Sequence, residues 1–169
     1  MDVKPLVSII MGSTSDLSVM GKAADLLDQM KIPFEMRALS AHRTPVEVET
    51  FSKNAEQKGL KVIIAGAGMA AALPGVIAAQ TNIPIIGVPI AATLQGVDAL
   101  LSMVQMPPGI PVATVGVNGA RNAAVLAARI LALTDNQLRE RLDDFQKEMH
   151  QKVINADEQM RKEQYEYKV

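Results

Sequence analysis

The chain has 169 residues, with 17 Lys and Arg against 18 Asp and Glu, no Cys, no Trp and two His. A net charge of −1 excludes the basic footprint of a nucleic-acid binder and the cationic face of a membrane-surface protein. The missing Cys excludes disulfides, thiolate metal sites and cysteine nucleophiles, and so few His and aromatic residues leave no histidine-built metal centre or base-stacking platform to expect.

Residues 1–5 run directly into the apolar stretch Leu6–Met11, which at six residues is too short for a signal-peptide core or a membrane span. A cytoplasmic protein is the resulting expectation. That first stretch is continuously apolar and closed by a glycine, the pattern of a buried parallel strand. Leu17, Met20, Ala23, Ala24, Leu27 and Met30 recur at helical spacing and predict a helix over Asp16–Met30. Phe34–Leu39 reads as a second strand. Thr44 as N-cap and Pro45 in the first turn open a polar helix reaching Lys58. A third strand is expected over Lys61–Ala65, and a small-residue helix, interrupted by Pro74 and Gly75, over Ala70–Gln80. Ile83–Val88 and Ile110–Val117 read as the fourth and fifth strands, with a helix over Gly96–Val104 between them and an alanine-rich helix, Arg121–Leu133, after them.

Five βα units imply a parallel sheet covered by helices on both faces. The length fits a three-layer, flavodoxin-like α/β fold with strand order 2-1-3-4-5. No repeat or linker divides the chain, so residues 1–134 are expected to form one domain, with residues 135–169 as its helical arm. Asp135 would cap that arm. Its apolar residues Leu138, Leu142, Phe145, Met149, Val153 and Met160 form a stripe that needs a partner surface. A helix of about 27 residues is roughly 40 Å long. That is as wide as the domain, so the arm is expected to reach a neighbouring subunit.

Ligands of open α/β sheets bind beyond the carboxyl ends of the strands near the switch point. Three loops qualify. In the first, Gly12 would let the chain turn off the strand, Ser13 and Ser15 offer hydroxyls beside free helix N–H groups, and Asp16 would cap the helix or accept from sugar hydroxyls. In the second, Ser40 and the Arg43 fork suit phosphate oxygens, and His42 is the one imidazole in any strand-end loop. In the third, Gly66 and Gly68 either admit a ligand close to the backbone or allow tight helix–strand packing. His150, on the tail among Glu148, Gln151 and Lys152, reads as a solvated or interface residue.

The runs MGSTSD, SAHRTP, AGAGMAAALPG, LQGVDALLSMVQMPPGIPVAT and NAAVLAARIL resemble the PurE family, from about Val7 to Leu133. The resemblance implies N5-carboxyaminoimidazole ribonucleotide mutase or aminoimidazole ribonucleotide carboxylase activity in purine synthesis, closer to the bacterial mutase class. It implies a phosphorylated imidazole riboside as substrate, carbon dioxide as a transient, no metal and no cofactor. It also implies a homo-octamer with C-terminal segments reaching between subunits. His42 matches the family's general acid/base. Ser13, Asp16, Ser40 and Arg43 match its phosphate and ribose contacts. Gly12 and Ser15 are expected beside them, with Ala67, Gly68, Met69, Ala72 and Leu73 along the imidazole and carboxylate end.

The chain departs from the family pattern AGAGGAAHLPG, with Met69 for a glycine and Ala72 for the histidine. The stretches Pro89–Leu94 and Thr114–Asn122 are also shorter than in typical mutases, by about one and two residues. These departures keep two alternatives open. One is a PurE-like paralogue that carries out a (de)carboxylation on a related ribotide. The other is a non-catalytic mononucleotide-binding protein.

Overall fold

A computed structural model describes residues 3–169. Its sheet has five parallel strands, as the alternation of apolar runs and helical stretches implies, in the expected order 2-1-3-4-5. The strands are β1 (Val7–Met11), β2 (Phe34–Ala38), β3 (Val62–Gly68), β4 (Ile85–Ile90) and β5 (Ala113–Thr114). The helices are α1 (Leu17–Gln29), α2 (Pro45–Asn54), α3 (Leu73–Ala78), α4 (Val97–Val104), α5 (Ala120–Leu131) and α6 (Asn136–Lys162).

The period-two alternation of strand side chains separates two cores. Val7, Ile9, Val62, Ile64, Ile86 and Val88 face α1, α5 and the start of α6. Ile10, Ile63, Ala65 and Ile85 face the opposite layer, with Val48 and Phe51 of α2, Ile77 of α3 and Met103 of α4. Each fully buried Ile, Leu or Met contributes about 1.5–3 kcal/mol relative to exposure. Ser8 is the exception in β1, and its hydroxyl donates to Glu35 Oε1 on β2 at 3.1 Å.

Several element ends differ from the sequence reading. The third strand runs on to Gly68, because Ala67 and Gly68 still pair with Pro89 and Ile90. Helix α3 starts at Leu73, later than the expected Ala70, because Met69 is left-handed (φ 56°) and Ala71 N donates back to the Gly68 carbonyl at 3.2 Å. Helix α2 ends at Asn54, and turns closed by the left-handed Gly59 (φ 92°) replace its last residues. The fifth strand shrinks to two residues. Pro111 lacks an N–H, and this edge strand has β4 as its sole neighbour.

Helix α6 begins where expected. The Asp135 carboxylate accepts from Leu138 N at 3.0 Å. Leu138, Leu142 and Phe145 are buried, and the Arg121 guanidinium sits 5.5 Å from the Phe145 ring centre. From Gln146 onward every residue is exposed, including Met149, Val153 and Met160. Among the described residues, no helix is long and apolar enough to cross a membrane.

Candidate active site

The strand order puts β1 between β2 and β3, so their carboxyl ends open side by side. The three loops that follow enclose a cleft of about 550 Å³, within the usual range for small-molecule sites. His42 and all eleven residues expected around the substrate line it. A larger hollow of about 850 Å³ opens at the opposite, amino end of the strands, around Gln80–Ile85 and Gly109–Pro111. It holds none of those residues and lies away from the switch point.

The first loop makes a 3-10 turn over Thr14–Asp16 before α1 begins. Ser13 is its N-cap, with Oγ accepting from Ser15 N at 3.3 Å. Asp16 stands at the N-cap of α1 without capping it. Its Oδ1 accepts from the Ser15 hydroxyl at 3.3 Å, and the carboxylate stays available to the cleft. Gly12 turns the chain off β1 without a left-handed backbone. A Cβ there would meet Asp16 Oδ2 at 3.9 Å, an ordinary contact, so glycine serves here to leave the cleft floor open.

The second loop is tied to itself. Ser40 N donates to Thr44 Oγ1 at 2.9 Å, and Thr44 Oγ1 donates to the Ser40 carbonyl at 3.1 Å. Thr44 therefore occupies the N-cap of α2 while its hydroxyl holds the loop, and it makes no side-chain cap bond. Ser40 Oγ accepts from Arg43 N at 3.2 Å and from Arg43 Nε at 3.3 Å, which leaves its own proton free to donate. Arg43 Nη2 donates to the Gly12 carbonyl at 2.7 Å and so joins the first two loops. An arginine has five donors, and the remaining ones are free for an anion. His42, on the same turn, is exposed to the cleft.

The two glycines of the third segment have different uses. A Cβ on Gly66 would run into the Met20 thioether, so Gly66 permits α1 to pack against β3. A Cβ on Gly68 would come 2.9 Å from the Ala92 Cβ and 3.3 Å from the Ile90 carbonyl oxygen, so Gly68 permits the close approach of β4 at the cleft wall. Met69 follows, 58% exposed, on a left-handed backbone (φ 56°) that a glycine would adopt more readily. Ala72 caps the cleft side of α3 and presents only a methyl group.

Ala41, Ala70 and Ala71 also line the cleft, within loops that the sequence had singled out. Ala92 is different, because it follows β4 and belongs to none of those loops. Its signal in the sequence was indirect. An order of 2-1-3-4 makes the end of β4 adjacent to that of β3, and Gly68 marks where the two come close.

Residues 6–152 match the family model described as AIR carboxylase, so the likeness runs into α6, well past Leu133. N5-carboxyaminoimidazole ribonucleotide mutase of Pyrococcus abyssi is 55% identical over 146 residues, covering 86% of this chain and 84% of that protein. Phosphoribosylaminoimidazole carboxylase of Schizosaccharomyces pombe is 50% identical over 159 residues, covering 94% of this chain and 29% of the longer yeast protein. The crystal structure of Treponema denticola PurE superposes with a TM-score of 0.82 at 33% identity, covering 92% of this chain and 98% of that one. The chain belongs to the AIR carboxylase (PurE) family.

Proposed function

We propose that this chain is an N5-carboxyaminoimidazole ribonucleotide mutase of purine biosynthesis, moving a carboxylate from N5 to ring carbon C4. The observation that carries the proposal is the division of one cleft into two ends. Arg43, Ser40 and Ser13 gather donors at one end, and Gly68, Ala72 and Ala92 give the other a small, apolar lining, with His42 opening into the same space. The mutase relative lends this reading its substrate.

The donors of Ser13, Ser15, Ser40 and Arg43 suit the phosphate, and the free carboxylate of Asp16 suits the ribose hydroxyls. The base then extends over Gly12 toward Ala67, Gly68, Met69, Ala72 and Leu73. As the N5–carboxyl bond breaks, the His42 imidazolium gives a proton to N5 and carbon dioxide is released into the cleft. The enamine-like C4 attacks that carbon dioxide and forms the new C–C bond. Neutral His42 then takes the C4 proton and is restored to its starting state. Positioning and one proton carrier suffice for this sequence, and they are what the cleft offers.

A second reading is supported by Met69 and Ala72, which reshape the base end. In it the chain carries out a net (de)carboxylation on aminoimidazole ribonucleotide or a related ribotide. Proton NMR of the protein with each carboxy isomer separates the two. Interconversion of the isomers without loss of carboxylate supports the mutase, net formation of aminoimidazole ribonucleotide supports the second reading, and no turnover of either overturns both.

The exposed half of α6 fits an arm that a neighbouring subunit covers, in an assembly such as a homo-octamer. Chemistry on a phosphorylated metabolite also fits a cytoplasmic protein.

A further inference from the structure

One residue holds together two loops beside the base end of the cleft. Ala92 forms the wall beside Gly68, yet β4 has ended at Ile90, and every residue from Ala91 to Gln95 is exposed. No strand pairing secures this wall. Ala92 N donates to the Ile90 carbonyl at 2.9 Å, a three-residue γ-turn centred on Ala91. Ala91 has no positive φ, so the turn is the inverse form, with φ near about −75°. Beyond the wall, Leu94, Gln95 and Gly96 are left-handed in succession (φ 43°, 55° and 85°), a strained run at two non-glycine residues.

Asn118 is the tie. Its Oδ1 accepts from Ala91 N at 3.1 Å, and its own N donates to the Pro89 carbonyl at 2.8 Å. The β4–β5 pairing stops at Gly87 and Thr114, with Val115 N still reaching the Gly87 carbonyl at 3.0 Å. Asn118 resumes that ladder two residues further along β4 and adds a side-chain bond at the wall. It is itself left-handed (φ 57°), a conformation that asparagine tolerates better than most residues.

We propose that Asn118 is a positioning residue, which holds Ala91 and Ala92 as the fourth wall of the cleft and keeps carbon dioxide beside C4 between loss and recapture. The proposal rests on the mutase reading. A neutral, apolar intermediate cannot be held by charge, so its retention depends on closed, apolar walls. Three walls follow directly from β1, β2 and β3. The fourth is a strained segment with two side-chain ties: Thr93 Oγ1 donates to Asp98 Oδ2 within the segment's own connection to α4, and the Ala91 N–H bond to Asn118 Oδ1 is the one that joins it to a second loop. Releasing that bond lets the wall move without touching His42 or the phosphate end.

The experiment measures, by proton NMR at early times, how N5-carboxyaminoimidazole ribonucleotide partitions between its C4-carboxy isomer and free aminoimidazole ribonucleotide. Asn118→Gly keeps the backbone free to stay left-handed and removes the acceptor. Ala91→Pro removes the matching N–H at a φ that proline adopts. Asn118→Asp keeps an acceptor. The expected result is that each of the first two variants raises the released fraction about fivefold, the factor carried by one net hydrogen bond. The double variant is no leakier than either single one, because both remove the same bond. Asn118→Asp stays near the wild type. An unchanged partition in Asn118→Gly and Ala91→Pro, with the wild type interconverting the isomers, overturns the proposal and leaves the mutase reading standing. A loss in Asn118→Asp as large as in Asn118→Gly overturns it as well. A wild type that interconverts neither isomer refutes the mutase reading itself, and the proposal falls with it. If Asn118→Gly fails to fold, Ala91→Pro carries the test.

Discussion

Arg43 Nη2 donates to the Gly12 carbonyl at 2.7 Å, so the guanidinium that faces the cleft also bolts the end of β1 to the loop after β2. Its Nε rests on Ser40 Oγ at 3.3 Å, which fixes the plane of the fork. A lysine has one nitrogen and cannot hold both positions while presenting further donors. Arg43→Lys is expected to raise KM for the ribotide about ten- to hundredfold, the worth of a hydrogen bond to a charged group. Its kcat should change by much less, because the mutase reading puts the reacting atoms at the other end of the cleft. Steady-state kinetics with either isomer checks the split.

His42 is the one imidazole in the cleft, and its exposure leaves it free to meet a substrate. Asn fills similar space and cannot carry a proton. His42→Asn is expected to lower kcat by about 10²–10⁴. Calorimetric titration should find the ligand bound nearly as well as by the wild type, since the phosphate contacts are untouched.

Met69 holds a left-handed backbone (φ 56°) with an exposed side chain, so it carries strain without a compensating buried contact. Such a conformation costs an ordinary residue about 1–2 kcal/mol, part of which glycine returns through its greater freedom in the unfolded chain. Met69→Gly is expected to raise stability by about 0.5–1 kcal/mol, a gain of roughly 1–4 °C in Tm. Thermal unfolding at matched protein concentration checks it.

The alternating apolar runs made the sheet order and the cleft legible, because a five-unit βα chain has few ways to bury both faces. His42, Arg43 and Asp16 were legible through their places after the strands. The roles of the glycines were not. Gly66 left ligand approach and tight helix–strand packing equally open, and it is the seat of Met20, a relation between β3 and α1 that spacing cannot decide. Thr44 looked like a helix cap, but its hydroxyl holds Ser40 across the turn. Ala92 and Asn118 were hidden because an alanine and a loop asparagine carry no chemical signal until β4 and β5 are set side by side. The fifth strand was overestimated because Val112 and Val115 have strand character, while Pro111 denies the edge its pairing.

In α6, Asp135 caps the helix and Leu138, Leu142 and Phe145 anchor it, while every residue after Phe145 is exposed. Asp135→Ala is expected to cost about 1 kcal/mol in urea unfolding. A chain stopped after Phe145 loses no buried side chain, so its circular dichroism should match the full chain in shape. Light scattering should show it as a smaller assembly. An unchanged number of subunits would rule out the arm as an assembly contact.

The mutase reading requires one cleft to release and recapture the same carbon dioxide while His42 moves a proton. It is tested most directly with N5-carboxyaminoimidazole ribonucleotide labelled with carbon-13 in the carboxylate, turned over in excess unlabelled bicarbonate and followed by carbon NMR. The C4-carboxy product is expected to keep the label almost entirely, and His42→Asn to form no product on the same timescale. A product carrying mostly unlabelled carboxylate would contradict it, since the carbon dioxide would then come from solution and the cleft would be working as a carboxylase.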